Sequence, residues 1–157
     1  MRIYLATSWS NPGYEKALVA LRGAGHDVYN FQESGRNEFV DDYTTIGAVS
    51  YDELKDYLGK TECITRYFED KDALDWAEAV VCLMPCGRSA HIELGYGVGR
   101  SKITVLVWEE GEPDLMHCMV DRIVESIDEA IEFLDQIPGI EVDEKTLEFM
   151  LNRRAQK

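Results

Sequence analysis

The sequence predicts an α/β protein: a five-stranded parallel sheet in the order 2-1-3-4-5 with helices on both faces. Three observations lead there. Short apolar runs alternate along the chain with segments of helical period. One run, Val80-Val81-Cys82-Leu83-Met84, is continuously apolar, as strands covered on both faces are, and Ile103 to Trp108 reads as a second buried strand. The helical segments fall between the strands, so the strands they join run parallel through right-handed crossovers.

Ile3 to Ala6 forms the first strand, and the turn formers Ser8, Ser10, Asn11 and Pro12 follow it. Tyr14, Ala17, Leu18 and Leu21 then recur at helical spacing, and Gly25 ends that helix as a C-terminal cap does. Asp27-Val28-Tyr29 is the second strand. Residues 31 to 66 break the rhythm with charges, glycines and the aromatics Phe31, Phe39, Tyr43 and Tyr51, and an insertion this long is expected to be a lid or binding loop. Inside it Ser50-Tyr51-Asp52-Glu53 is a capping box, and Leu54 and Leu58 form an i,i+4 pair ahead of Gly59, so one short helix belongs there.

Ala73, Leu74 and Ala77 share a helical face that leads into the third strand, Val80 to Met84, which Pro85-Cys86-Gly87-Arg88 ends. Ser89 is placed as the cap of a helix running to about Arg100. Ile103 to Trp108 is the fourth strand and Arg122-Ile123-Val124 a shorter fifth. A second capping box, Ser126-Ile127-Asp128-Glu129, starts a helix with Ile127, Ala130, Ile131 and Leu134 inward. After Pro138-Gly139 comes a polar tail, about 139–157, with a helix expected over Leu147, Met150 and Leu151. The whole, 1–157, reads as one domain with the flavodoxin-like order, and ligands in such sheets sit at the strands' carboxyl ends beside the switch point. Here those are the loops Thr7 to Pro12 and Pro85 to Ser89.

Composition narrows the partners. At 45% hydrophobic residues the chain is too apolar to be disordered, yet it has no run of the roughly 18 apolar residues that a membrane helix needs. The start, Met1-Arg2 and then Ile3-Tyr4-Leu5-Ala6, lacks the length and cleavage site of a secretory signal, so a cytoplasmic location is expected. A net charge of −14 repels polyanions, which argues against long nucleic acid or an anionic membrane surface and leaves a small neutral or singly phosphorylated ligand. Cys63, Cys82, Cys86 and Cys118 form no CxxC pair and are read as reduced thiols. With His91 and His117 they have no finger or HExxH spacing, so neither a metal nor a cofactor is expected.

Glu93 carries the chemistry. Four residues past Ser89, it falls in the first turn of a helix whose N-terminus faces the ligand crevice, where the helix end favours the ionised carboxylate. An anionic nucleophile suits an oxocarbenium-like sugar carbon. The plainer reading is that an acidic residue there only stabilises the helix. Asp70, placed at the start of the helix feeding strand three, supplies a second carboxylate to protonate or position a leaving base, and Asp72 and Asp75 compete for that role. Gly95, Gly97 and Gly99 recur at alternate positions inside a helix, which is not a dinucleotide fingerprint; they permit close approach to the sheet or to another subunit. Arg88 either holds a phosphate or neutralises nearby acids.

Ile3-Tyr4-Leu5-Ala6-Thr7-Ser8-Trp9, then Asp70, then Gly87-Arg88-Ser89-Ala90-His91-Ile92-Glu93-Leu94-Gly95 resemble the nucleoside 2-deoxyribosyltransferase family and its relatives, the 2'-deoxynucleoside 5'-phosphate N-hydrolases. The resemblance covers about residues 1–30 and 68–136. It implies a flavodoxin-like fold, no metal, and a covalent deoxyribosyl–glutamate intermediate. Glu93 matches the family nucleophile, Asp70 the acid that handles the base, and Tyr4 a strand-one tyrosine that holds the nucleophile's carboxylate. Thr7, Ser8, Trp9, Gly87, Arg88 and Ser89, in the two loops at the switch point, are the expected substrate-binding residues. Thr7-Ser8 replaces a more glycine-rich turn, Arg88-Ser89 stands where the transferases have acidic or small residues, and 31 to 66 is not recognisable against the family pattern.

Three functions follow: transfer of 2-deoxyribose between bases, hydrolysis of a deoxynucleoside 5'-monophosphate through the same Glu93 intermediate, or non-catalytic nucleotide sensing. Arg88 tilts towards the second. The partner in each case is a deoxynucleoside or deoxynucleotide, and the glycine-lined helix with Leu147, Met150 and Leu151 suggests a homodimer or larger assembly.

Overall fold

The strands β1 (Arg2–Ala6), β2 (Asp27–Tyr29), β3 (Ala79–Leu83), β4 (Ile103–Val107) and β5 (Arg122–Val124) pair in parallel, in the order β2-β1-β3-β4-β5 that the sequence predicts. The structure is a computed structural model and describes residues 1–33 and 49–137. Around the sheet lie α1 (Tyr14–Gly23), α2 (Tyr51–Leu58), α3 (Thr61–Trp76), α4 (Arg88–Gly99) and α5 (Ile127–Asp135), with a 3-10 turn over Leu115–Met119. Phe39, Tyr43 and the expected tail helix over Leu147, Met150 and Leu151 lie outside the described residues. None of the described helices is long and apolar enough to cross a membrane.

Strand alternation divides the core into two layers. Ile3, Leu5, Val81, Leu83, Val105 and Val107 face α1 and α5, whose Leu18, Leu21, Ala130 and Leu134 cover them. Tyr4, Ala6, Val80, Cys82 and Leu106 face α3 and α4, met by Ala73, Leu74, Ala90 and Leu94. In-register pairing sets Tyr4 beside Tyr29 on one side and Val80 on the other, and Ala6 beside Cys82. The residues that matter for the site are thus on the α3/α4 face, near the carboxyl ends of β1 and β3.

Local chemistry explains the element ends. Gly25 has φ +87°, and the N–H groups of Gly25 and His26 close α1 onto the carbonyls of Arg22 and Leu21. The capping box of α2 forms on both sides: Ser50 Oγ accepts from the Glu53 amide and Glu53 Oε2 from the Ser50 amide. At α5 only half of the expected box forms. Ser126 Oγ accepts from the Glu129 amide, while Glu129 Oε2 takes the Glu125 amide instead.

Two helix starts differ from expectation. The helix feeding β3 begins at Thr61, so it absorbs the end of the 31–66 insertion, and Asp70 lies in its interior rather than at its start. In α4 the N-cap is Gly87, not Ser89, and no side chain caps that end. Of the three alternating glycines only Gly97 touches the sheet: a Cβ there would stand 2.8 Å from Val80 Cγ2, whereas Gly95 and Gly99 face open space.

Candidate active site

A cleft of about 630 Å³ opens over the carboxyl ends of β1 and β3, with α2 and α3 on its far side. It lies at the switch point of the sheet, where neighbouring connections leave in opposite directions. Every expected site residue lines it: Tyr4, Thr7, Ser8 and Trp9 from β1 and its loop, Asp70 from α3, and Gly87, Arg88, Ser89 and Glu93 from α4 and its cap.

Tyr4 ties the acidic groups together. It is buried, and its hydroxyl donates to Glu93 Oε1 at 3.0 Å. Its ring stacks on Tyr29 with centroids 5.6 Å apart, and the Tyr29 hydroxyl donates to Asp70 Oδ1 at 3.4 Å. Burial pushes the Tyr4 phenol well above its ordinary range, and the negative charges of Glu93 and then Asp70 push it the same way. At neutral pH Tyr4 is therefore a protonated donor. The two carboxylates reach one end of the cleft through a pair of stacked phenols.

The sequence placed Glu93 in the first helical turn. With Gly87 as cap, it is the sixth residue of α4, in the second turn, and no acidic residue occupies the first. The field of a helix end falls off within about one turn, so it does not act on Glu93 as expected. Tyr4 supplies the donor instead. Asp70 likewise reaches the cleft from mid-helix, where the Tyr29 hydroxyl at the end of β2 meets it.

Hydrogen bonds hold the two loops in register. Thr7 Oγ1 donates to Leu83 O at 2.8 Å and accepts from Asn11 Nδ2 at 2.9 Å, so this hydroxyl is committed to joining β1 to β3. Asn11, 9% exposed, also donates to Pro85 O and accepts from the Gly13 amide through Oδ1. Trp9 packs against Phe31, centroids 5.4 Å apart, and makes an apolar wall. Arg88 and Ser89 are exposed on the rim, and among the described residues Arg88 forms no ion pair.

Three contributors escaped the sequence reading. Tyr29 was visible only as a strand residue, although its register opposite Tyr4 is a signal once the 2-1 pairing is known. Arg66, which pairs with Glu69 at 3.0 Å, adds a second guanidinium to the cleft, and Tyr57 of α2 adds a ring. Both come from the insertion, whose one readable motif, the Ser50–Glu53 capping box, marks a helix start and not a ligand contact. Among the described residues no group of three or more His, Cys, Asp or Glu is arranged to hold a metal ion.

No protein-family model and no curated protein matches this chain. Solved structures do match it. The 2-deoxyribosyltransferase of the psychrotolerant bacterium Bacillus psychrosaccharolyticus aligns with 83% of this chain and 90% of its own, with a TM-score of 0.60 and 20% identity. The CMP N-glycosidase of Clostridium botulinum aligns with 86% of this chain and 99% of its own, but at a TM-score of 0.47 and 17% identity it is too distant to argue from. At such identity the first likeness speaks for architecture: this chain is similar in fold to a 2-deoxyribosyltransferase, a protein of the kind that its motifs resemble.

Proposed function

We propose that this chain is an enzyme that cleaves the N-glycosidic bond of a 2'-deoxynucleoside through a covalent ester between deoxyribose and Glu93, and passes the sugar to a second base. The observation that carries the reading is the buried Tyr4 hydroxyl on Glu93 Oε1 at 3.0 Å, with Asp70 bonded to the ring stacked beside it. A Glu kept only to stabilise a helix has no need of a buried phenol. The cleft, about 630 Å³, lies within the usual range for small-ligand pockets.

In the first step a Glu93 carboxylate oxygen bonds to C1' as the C1'–N bond breaks, and Asp70 delivers a proton to the departing base. In the second, a nitrogen of the incoming base bonds to C1', the ester C–O bond breaks, and Asp70 takes the proton that the base gives up. Tyr4 holds one carboxylate oxygen throughout and so aims the group. Positioned acid–base assistance of this kind contributes about 10²–10⁴-fold. Glu93, Asp70 and Tyr4 supply the nucleophile, the proton shuttle and the anchor of both steps.

A second reading rests on Arg66 and Arg88, which put two guanidiniums on the cleft. Such groups grip phosphate with paired, charge-assisted hydrogen bonds, so a 5'-monophosphate substrate and water as acceptor fit this feature better. Incubation with a panel of deoxynucleosides and their monophosphates, with and without an acceptor base, separates the two. New nucleosides mean transfer, and free base alone means hydrolysis. No base released from any member of the panel sinks both. Rapid denaturation after mixing should also show protein heavier by one deoxyribosyl unit.

A further inference from the structure

A second cavity, about 730 Å³, borders the start of α4, and Met84, Cys86, His91, Leu94 and His117 are among its walls. Cys86 is half-buried there and Cys82 is fully buried in β3, yet their sulfurs are only 3.5 Å apart. We propose that these two form a peroxide-responsive thiol pair, in which a hydroperoxide entering this cavity oxidises Cys86 and Cys82 then closes a disulfide.

The division of roles follows from burial. Cys86, in the short connection between β3 and α4, meets the cavity, while Cys82 lies buried in the core against Cys86, with the Glu93 carboxylate near enough to act on its thiol. A disulfide needs its sulfurs about 2.05 Å apart, so they must close by about 1.5 Å, a shift that a residue outside helix and strand can make. His91 Nδ1 donates to Gly87 O at 3.0 Å and stands 3.5 Å from Cys86 Sγ. The hydrogen bond from the Cys82 thiol is the main influence lowering the Cys86 thiol to about 7; burial opposes it and His91 adds to it. Other charged groups bordering that cavity are Arg88, Glu112, Asp114 and His117. Near neutral pH a substantial share of Cys86 is then thiolate, the form that reacts with peroxides.

The steps balance. The Cys86 thiolate attacks a peroxide oxygen, an S–O bond forms, the O–O bond breaks, and the departing oxygen takes a proton as alcohol or water. Sulfur loses two electrons and peroxide gains them. Cys82 sulfur then attacks Cys86 sulfur, the S–O bond breaks, and the hydroxide leaves as water with the Cys82 proton. Hydrogen bonding to Cys86 is the first reason that the Cys82 thiol is held well above its ordinary range, with burial next, so oxidation of Cys86 removes the main hold on that proton. Two thiols and one hydroperoxide give one disulfide, one alcohol or water, and one further water. This pair stands on sulfur geometry and holds whether or not the chain cleaves a glycosidic bond.

The test is peptide mass spectrometry of the full chain after brief treatment with near-equimolar hydrogen peroxide, then alkylation with iodoacetamide. Tryptic cleavage after Lys71 and Arg88 leaves both cysteines in the peptide 72–88, while Cys63 and Cys118 fall in others. The expected result is a 72–88 peptide lighter by two hydrogens, unalkylated, and restored by dithiothreitol. Cys86, whose thiol is lowered to about 7, should react about tenfold faster than the exposed Cys118. In Cys82→Ser the sulfenic acid on Cys86 should persist and be trapped by dimedone. Alkylation of both Cys82 and Cys86 after peroxide, or loss of Cys118 as fast as Cys86, overturns the proposal.

Discussion

At Glu93 the carboxylate sits in the second turn of α4, and the donor that meets it is the Tyr4 hydroxyl rather than the helix terminus. Two variants separate charge from positioning. Glu93→Gln should fold normally and lose turnover by at least about 10³-fold, because an amide oxygen cannot serve as the covalent nucleophile and leaving group. Tyr4→Phe removes one hydrogen bond to a charged group, worth roughly 1.5–3 kcal/mol, and should lower kcat/KM by about 10–100-fold while leaving a detectable deoxyribosyl adduct. Equal losses in both variants, measured by single-turnover base release, would show that Tyr4 does more than position. Arg88 tests the substrate. For a monophosphate hydrolase, Arg88→Ala should lower kcat/KM on the monophosphate by about 10–100-fold and spare the nucleoside. Parallel loss on both substrates would remove the phosphate role.

Among the elements, α4 shows how close packing and function share one helix. Gly97 lets it approach β3 and β4, since a Cβ there would stand 2.8 Å from Val80 Cγ2 and 3.2 Å from Thr104 Cγ2. Gly97→Ala should therefore cost about 1–3 kcal/mol through overpacking. Gly95→Ala, two residues away and facing open space, should instead gain up to about 1 kcal/mol of helix propensity. Urea unfolding of the pair decides it, and opposite signs are expected. The two misplaced helix starts have one cause. Lys60 and Gly87 cap α3 and α4 without a side-chain hydrogen bond, so neither leaves a capping signature. In α3, moreover, only Ala73 and Leu74 are buried while Ile64, Tyr67 and Phe68 are exposed, so its apolar period is readable only near its C-terminal end.

Over the whole molecule, pH and assembly provide the checks. His26 has a side chain only 6% exposed, 3.7 Å from Asp135. Burial is the main influence lowering its pKa, the N-terminal ammonium adds to it, and Asp135 opposes both. Above about pH 6.5 the imidazole is neutral in both folded and unfolded chains; below it the unfolded chain takes up the proton first, so stability falls with pH. Unfolding midpoints from about pH 7.5 down to about 5.5 should drop more steeply for the wild type than for His26→Asn. Identical slopes would remove His26 from the account. Ile92, Leu115 and Met116 are each at least 60% exposed, and with them we expect a homodimer or larger assembly. Sedimentation velocity at micromolar concentration that finds only monomer would reject it.

By itself the sequence determined the strand order and the helices on both faces, because strand alternation, helical period and turn residues are local signals, while Tyr4 was singled out by the family resemblance alone. The five expected strands all form, and Gly25 and Ser50 end and start their helices through their own backbone or hydroxyl chemistry. Tertiary structure decided what those residues meet. The Tyr4–Glu93 bond spans 89 positions, and the Tyr29–Asp70 bond spans 41. Such meetings depend on strand register and on where a helix lies across the sheet, and both are set by packing between segments far apart in the chain.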